Sequence, residues 1–359
     1  MAATPRLIED PKEYRFDLAV EARNILRDYP QLDGHTVFVS ADAPADIVGS
    51  MRDLPQSYRK IMPGHVANYI ERALNKKTSM AYAEQVQDGM TGTSFPVNVV
   101  VLLPTPPKDI AEAHERDFRD HFILNHEAGH LLLPYTPESR LPRYPYSECL
   151  ADAFATIRSM QKFGADDAIH NKLSATRALG FMLSGNSNHL TTTVTDRILD
   201  EAKRQDFSAL GFDETLTAAH LYAKALTPRI EELEQAEESY ARIADYMRAN
   251  PAADKLEIFG LVGQTCLATS DKFSFFLGAK FFQPFLNPDG MMLAQNGIIL
   301  APEQRLLLVD TFIEKSRGFR LDTLAAQFME NRVDVVPEIS PAFPLRRVAA
   351  VQLKTRSKP

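Results

Sequence analysis

A run of twelve residues at positions 122–133, FILNHEAGHLLL, constrains the fold more than any other part of the chain. Its apolar residues recur on every side of a helix, so the segment must be buried over most of its surface. The run also holds three ionisable side chains, His126, Glu127 and His130. Moving such groups out of water is costly unless a partner compensates them. The segment therefore predicts a buried helix that has a partner for these three side chains.

Short β-type segments precede this helix, and helical patterns follow it. Residues 35–40 and 96–103 are rich in β-branched residues and predict two strands. Beyond position 134, apolar residues recur at steps of three and four, which indicates helices. The predicted helices span residues 11–27, 64–75, 109–133, 146–163, 166–184, 190–204, 213–226, 228–249, 254–269, 302–315 and 321–329. The sequence thus predicts a predominantly helical α+β fold with a small sheet in its N-terminal lobe.

The order of these segments suggests a division into lobes. We expect residues 1–164 to form an α/β lobe that carries the helix described above, and residues 165–332 to form a larger helical lobe. Gly164 is a natural end for the preceding helix. Residues 333–359 include Pro337, Pro341 and Pro344 and are expected to form an extended C-terminal tail.

Composition excludes several classes of protein. The chain of 359 residues has a formal net charge of −7, which argues against a nucleic-acid partner. It has no apolar run of the roughly 18 residues that a membrane span needs, so membrane insertion is not expected. The first residues lack the apolar core of a secretory signal. Two cysteines without CxxC spacing fit a reducing compartment, and we expect a cytoplasmic protein.

The spacing of His126 and His130 is that of a metal site on a helix. Residues four apart lie one turn apart on the same face, so the two imidazoles can converge on one ion. Glu127 is rotated by about 100° from His126, which places it beside a water on that ion rather than on the ion itself. We expect one Zn²⁺ per chain.

A catalytic zinc usually has a third protein ligand, and Glu148 in the segment YSECLADAFA is the best candidate. Asp152 lies one turn further along and can accept the N–H of a ligand histidine. Asp152 is also an alternative third ligand. Cys149 points about 100° away from Glu148, and we interpret it as a small buried hydrophobic residue.

HEAGH followed by ECLAD resembles the gluzincin class of zinc metallopeptidases, whose shared pattern is HExxH and then ExxxD or ExxAD on a following helix. The resemblance covers residues 97–163 and implies a zincin-like catalytic core, in which the strand at 97–103 would run along the edge of the cleft. It implies that His126, His130 and Glu148 are metal ligands. It implies in addition that Glu127 is the general base and that Asp152 does not bind the metal but accepts a hydrogen bond from a ligand histidine.

The donor that would stabilise a developing oxyanion is less constrained by the sequence. His189, at the expected start of a helix, is our candidate for this catalytic role, although a surface histidine fits its position equally well. His220 and Tyr146 are further candidates. His170 lies on a charged helix and is expected at the surface.

These residues predict a zinc-dependent metallohydrolase, most simply a peptidase that cleaves peptide bonds with metal-activated water and the Glu127 base. An alternative is a zincin-like sensor or regulatory protein, in which the metal site persists and the helical lobe binds a partner or a ligand. A third hypothesis is a helical interaction protein in which the motif is accidental.

Overall fold

The computed structural model describes residues 14–87, 92–105, 113–135, 143–165, 167–187, 190–287 and 300–332. These residues form a small sheet and many helices, so the prediction of a predominantly helical α+β fold is confirmed. None of the helices in the described ranges is long and apolar enough to cross a membrane. The predicted tail at 333–359 lies outside the described residues.

The sheet has four strands: β1 (Thr36–Ser40), β2 (Ala43–Ser50), β3 (Met80–Gln87) and β4 (Ser94–Leu102). Their order is β2-β1-β4-β3; β1 and β4 run parallel, whereas the two outer strands pair antiparallel to their neighbours. The predicted strands at 35–40 and 96–103 correspond to β1 and β4. Both are central in the sheet, and the expectation that the strand at 97–103 runs along the edge of a cleft stays a prediction. The edge strand next to β4 is β3.

Sequence analysis missed both outer strands because their composition is atypical. β2 contains proline, aspartate and glycine, and β3 contains alanine and glutamate, all of which are depleted in strands. Their side chains are mostly half-buried or exposed. Pairing with a buried neighbour therefore determines their conformation more than local propensity does.

Twelve α-helices are described along with the sheet. They are α1 (Leu18–Asp28), α2 (Gln56–Lys76), α3 (Ala113–Leu132), α4 (Arg143–Phe163), α5 (Asp167–Ser184), α6 (Thr192–Ala202), α7 (Phe212–Leu226), α8 (Ile230–Ala249), α9 (Lys255–Ala268), α10 (Lys272–Phe282), α11 (Pro302–Gly318) and α12 (Asp322–Glu330). No helix was predicted at α10, whose sequence KFSFFLGAKFF has no polar stripe because most of its side chains are buried.

The two faces of the sheet are covered by different helices. Val37 and Val99 pack with residues of α2 on one face. Phe38 and Val100 pack with α1, α3 and α4 on the other face. The chain after β4 is attached to α3 at Thr105, whose backbone N–H donates to a carboxylate oxygen of the buried Asp120 at 3.0 Å. The sheet therefore fixes the position of α3.

Helices α6 and α7 share a core with α3 and α4. Val194 and Ile198 of α6 and Ala219 of α7 pack in the same cluster as Leu150 of α4. A second cluster joins α5 with α8 to α12 and is rich in phenylalanine. The division at residue 164 stays a prediction, and part of the helical segment that follows it belongs to the core around α4.

His170 is buried, with 1% of its surface exposed, so its expected surface position is wrong. Its ring meets Phe118 of α3 edge-to-face, with the ring centroids 5.2 Å apart. The charged residues of α5 misled the prediction because Lys172 and Arg177 form ion pairs with acidic residues of α3 and α4. Charge on this helix therefore indicates contact with α3 and α4 rather than exposure.

Helices α3 and α4 approach each other closely at Gly129. A Cβ atom at this position would lie 2.8 Å from the Cα of Ala151, which is backbone and cannot move aside. Glycine costs about 1 kcal/mol in a helix interior relative to alanine, and the close approach accounts for its presence.

We therefore expect Gly129→Ala to destabilise the protein by about 1–3 kcal/mol, the usual cost of overpacking, despite the better helix propensity of alanine. Gly180→Ala in α5 is the matched control, because a Cβ there meets no atom within 4 Å. The control should be neutral or slightly stabilising. Urea unfolding of both variants measures the difference, and equal stabilities would contradict the close approach.

His121 of α3 is buried and neutral. Burial lowers its pKa well below the usual value, and the charges of Arg158 and Lys162 act in the same direction. Glu21 lies 3.6 Å from the ring but is also bound by Lys162 at 3.0 Å, so its charge is already compensated. The unfolded chain, with a histidine pKa of about 6.5, then binds a proton that the folded protein does not.

This difference predicts that the free energy of unfolding decreases as the pH falls below about 6.5, by up to about 1.4 kcal/mol per pH unit from this one residue. His121→Gln should be less stable than the wild type at pH 7.5, and the difference should narrow at pH 5.5. Urea unfolding at both pH values tests this. A constant difference would show that His121 does not titrate in this way.

Candidate metal centre

Two imidazoles converge on the buried face of α3. Their Nε2 atoms, one from His126 and one from His130, are 3.1 Å apart, and the rings are nearly perpendicular. His126 is buried, and 19% of the His130 side chain is exposed. The helix forms here because the apolar residues around the two histidines pack against α4 and the sheet.

Helix α4 brings Glu148 to the same point. One of its carboxylate oxygens is 3.4 Å from Nε2 of His126, and the other is 3.5 Å from Nε2 of His130. One ligand atom from each of these three residues lies within 4.8 Å of the others. The structure thus brings together all three residues predicted as metal ligands.

The second nitrogen of each ring contacts a side chain of α4. Nδ1 of His126 is 2.6 Å from a carboxylate oxygen of Asp152, and Nδ1 of His130 is 2.9 Å from the hydroxyl of Ser147. Such contacts fix the orientation of the ring and direct the lone pair of Nε2 toward the shared point. Asp152 is thus placed to support His126, as the sequence predicted, rather than to replace Glu148.

Asp152 is fully buried and remains ionised. Burial opposes its charge, but the charges of Arg177 and His126 and the Thr191 hydroxyl hold the pKa of Asp152 well below its usual range. Arg177 donates to the same oxygen as His126, at 2.8 Å, and Thr191 donates to the other oxygen. The carboxylate is therefore held by three partners from three different segments.

The surrounding carboxylates also act on His130 and Arg177. Burial alone would lower the pKa of His130, but Glu148, together with Glu127 and Asp152, raises this pKa overall. Asp152 outweighs the effect of burial on Arg177 and raises the pKa of its guanidinium, with smaller contributions from Glu148 and Glu127. Negative charge therefore dominates at the point where the two rings and Glu148 meet.

Glu127 lies beside this point and does not belong to the group of three. It is 7% exposed, and its charge acts on both His130 and Arg177. This position agrees with the rotation of about 100° that separates neighbouring residues on a helix.

Of the predicted oxyanion donors, the structure describes Tyr146 and His220. His189 lies outside the described residues. The hydroxyl of Tyr146 lies 2.5 Å from Nδ1 of His220, and both side chains are buried. Tyr146 precedes Glu148 by two positions, so it points about 200° away from it around α4. We assign Tyr146 and His220 a structural contact between α4 and α7.

Cys149 is fully buried, in agreement with its interpretation as a small hydrophobic residue. Burial raises the pKa of its thiol to about 12. A metal-binding cysteine is a thiolate, and this environment disfavours the thiolate.

The donor set fits a zinc ion. Two imidazole nitrogens and one carboxylate oxygen form the three-ligand set of several catalytic zinc sites, and both rings have the outer partners typical of such sites. The excess of negative charge around the three ligand atoms would be reduced by a divalent cation.

Sequence analysis missed three residues of the site: Ser147, Arg177 and Thr191. Ser147 could have been found, because it directly precedes Glu148 in the sequence of α4. Arg177 and Thr191 come from segments 25 and 39 positions after Asp152, and no local pattern connects them with it.

The geometry predicts that a substitution of Glu148 weakens metal binding strongly, whereas a substitution of Cys149 does not. Glu148→Gln should weaken zinc binding by more than the roughly 10–100-fold loss typical of an outer partner. Cys149→Ala should retain the affinity of the wild type because its side chain faces the core. Competition with a chromophoric chelator measures both constants, and a loss in Cys149→Ala as large as in Glu148→Gln would refute this assignment of ligands.

Comparison with known proteins gives no match, neither to a protein-family model, nor to a curated protein, nor to a solved structure. The resemblance to gluzincins therefore rests on the two motifs alone and stays a prediction.

Proposed function

We propose that this protein is a zinc-dependent metallohydrolase, most simply a peptidase of the gluzincin type. The observation that supports this proposal best is the convergence of His126, His130 and Glu148, with Glu127 beside them. The outer contacts of both rings add to it, because a structural accident would not require them.

Each residue has a role in the proposed reaction. His126, His130 and Glu148 hold the metal, and Asp152 and Ser147 orient the two imidazoles. Bound zinc would lower the pKa of a coordinated water toward 7 and polarise a carbonyl. Glu127 takes the proton from the attacking water and delivers it to the leaving amine, so the carboxylate returns to its starting state.

The edge strand β3 is the proposed binding place for an extended peptide. Within the described residues it pairs with β4 on one side only, and α3 contacts both β3 and β4. An unpaired edge offers backbone N–H and C=O groups to an added strand, which is a common way of binding peptides.

The cellular setting is part of the same proposal. Both cysteines are free and buried, which agrees with a reducing cytoplasm. The net charge of −7 argues against a nucleic acid as the substrate.

Glu127→Gln tests the catalytic role. We expect this variant to retain about one zinc per chain and to lose hydrolysis by at least the roughly 10²–10⁴-fold typical of a general base. Glu115→Gln, on the same helix but paired with Lys172, is the control and should retain activity. Turnover is measured on a peptide library with and without a chelator.

The outcomes separate the proposed function from its alternatives. A wild-type protein that binds zinc but cleaves no peptide in the library would favour the zincin-like sensor or regulatory protein. A protein that binds no zinc after purification without chelators would refute the metal site and leave the helical interaction protein.

A further inference from the structure

Asp152 links the candidate metal centre to helices that carry none of the three ligands. Its two oxygens are occupied by His126 of α3, Arg177 of α5 and Thr191 at the start of α6. We propose that Arg177 and Thr191 are positioning residues for the metal ligand His126, so that metal affinity depends on the docking of α5 and α6 onto α4. This inference rests on the proposed metal site.

The hydroxyl of Thr191 donates a hydrogen bond to Asp152 and makes no capping bond to the backbone of α6. Thr191 is the N-cap residue of α6, where a threonine side chain usually accepts a hydrogen bond from the backbone. No such bond is present, and the hydroxyl donates to Asp152 instead. Such a cap is typically worth about 1 kcal/mol. The hydrogen bond that the structure gives this hydroxyl is therefore with the buried carboxylate of Asp152 and not with the backbone of α6.

Arg177 balances the charge of the site. Glu127, Glu148 and Asp152 are all buried and together carry three negative charges when ionised. A divalent cation supplies two positive charges, and the guanidinium of Arg177 supplies the third. Its 2.8 Å contact with Asp152 and its electrostatic interactions with the other two carboxylates place it within the same group. Without Arg177 the buried site would retain an excess negative charge even with zinc bound.

The two contacts also fix the rotation of the Asp152 carboxylate. One oxygen accepts from both His126 and Arg177, so it must lie between them, while Thr191 holds the other oxygen. A carboxylate held at both oxygens cannot turn away from the imidazole. The orientation of the His126 ring is thereby determined by α5 and α6 as well as by α4.

Helix α6 also contacts helices of the phenylalanine-rich cluster, which joins α5 with α8 to α12. Asp196, one turn after Thr192, forms an ion pair with the fully buried Lys280 of α10. Gln327 of α12 donates to the same carboxylate at 3.4 Å. The helix that holds Asp152 is thus itself held by the phenylalanine-rich core, which makes the docking of α6 sensitive to that core.

Zinc affinity of threonine variants tests the inference. Thr191→Val, which removes the hydroxyl but keeps the shape, should bind zinc about 10-fold more weakly, the lower end of the range for an outer contact. Thr191→Ser should bind as the wild type does. Thr195→Val is the matched control, because this buried hydroxyl on α6 donates only to backbone carbonyls of its own turn. Affinities are measured with zinc alone, by competition with a chromophoric chelator.

A second pair of variants tests the arginine. Arg177→Met should weaken zinc binding by about 10–100-fold. Arg158→Met is its control, since it breaks another buried arginine–aspartate pair, with Asp28 at 2.9 Å, away from the site. Arg177→Lys, which keeps the charge, should recover part of the affinity and replaces Arg177→Met if that variant does not fold.

Hydrogen exchange distinguishes a positioning role of Thr191 from a general effect of the substitution on the stability of the protein. In the wild type, zinc should slow amide exchange in α6, because binding and docking are coupled in both directions. In Thr191→Val this slowing should be lost, while Thr195→Val should retain it. Equal zinc affinities in Thr191→Val and Thr195→Val, or unchanged slowing of α6 in both, would overturn the inference. A wild-type protein that binds no zinc would instead refute the proposed function itself.

Discussion

The burial of three carboxylates in one place is the constraint on which this structure depends. Glu127, Glu148 and Asp152 lie within a few turns of each other on two packed helices, and each is nearly or fully buried. Carboxylates in such surroundings require positive charge and hydrogen-bond donors. The histidines, Arg177 and the hydroxyl of Thr191 supply part of this requirement. A divalent cation would supply the rest, which connects the stability of the fold to the proposed chemistry.

The sheet and the second core contribute to the site through position rather than through contact. β4 and Asp120 fix α3, and the close packing of α3 on α4 brings Glu148 and Asp152 to the two imidazoles. The second core acts from the other side, through α5 and α6. The geometry of the metal centre therefore depends on helices from both hydrophobic clusters.

Much of the site could be predicted from the sequence because its main residues lie on two helices at fixed spacing. His126 and His130 follow from the helical repeat, and Asp152 shares a face with Glu148 for the same reason. The outer strands β2 and β3 could not be predicted, because pairing rather than composition determines them. Arg177 and Thr191 were missed since only the tertiary structure brings them to Asp152. His170 was misplaced because the charge on α5 is used for ion pairs with α3 and α4.

Gly129 has a consequence for how the site could be adjusted without altering any of its side chains. The atom that a larger residue would meet is a backbone atom of α4, so no substitution at Ala151 can make room for it. Residues of increasing size at position 129 would instead act as graded spacers between the two helices. A larger distance between the two helices would move the imidazoles away from Glu148 without replacing any proposed ligand.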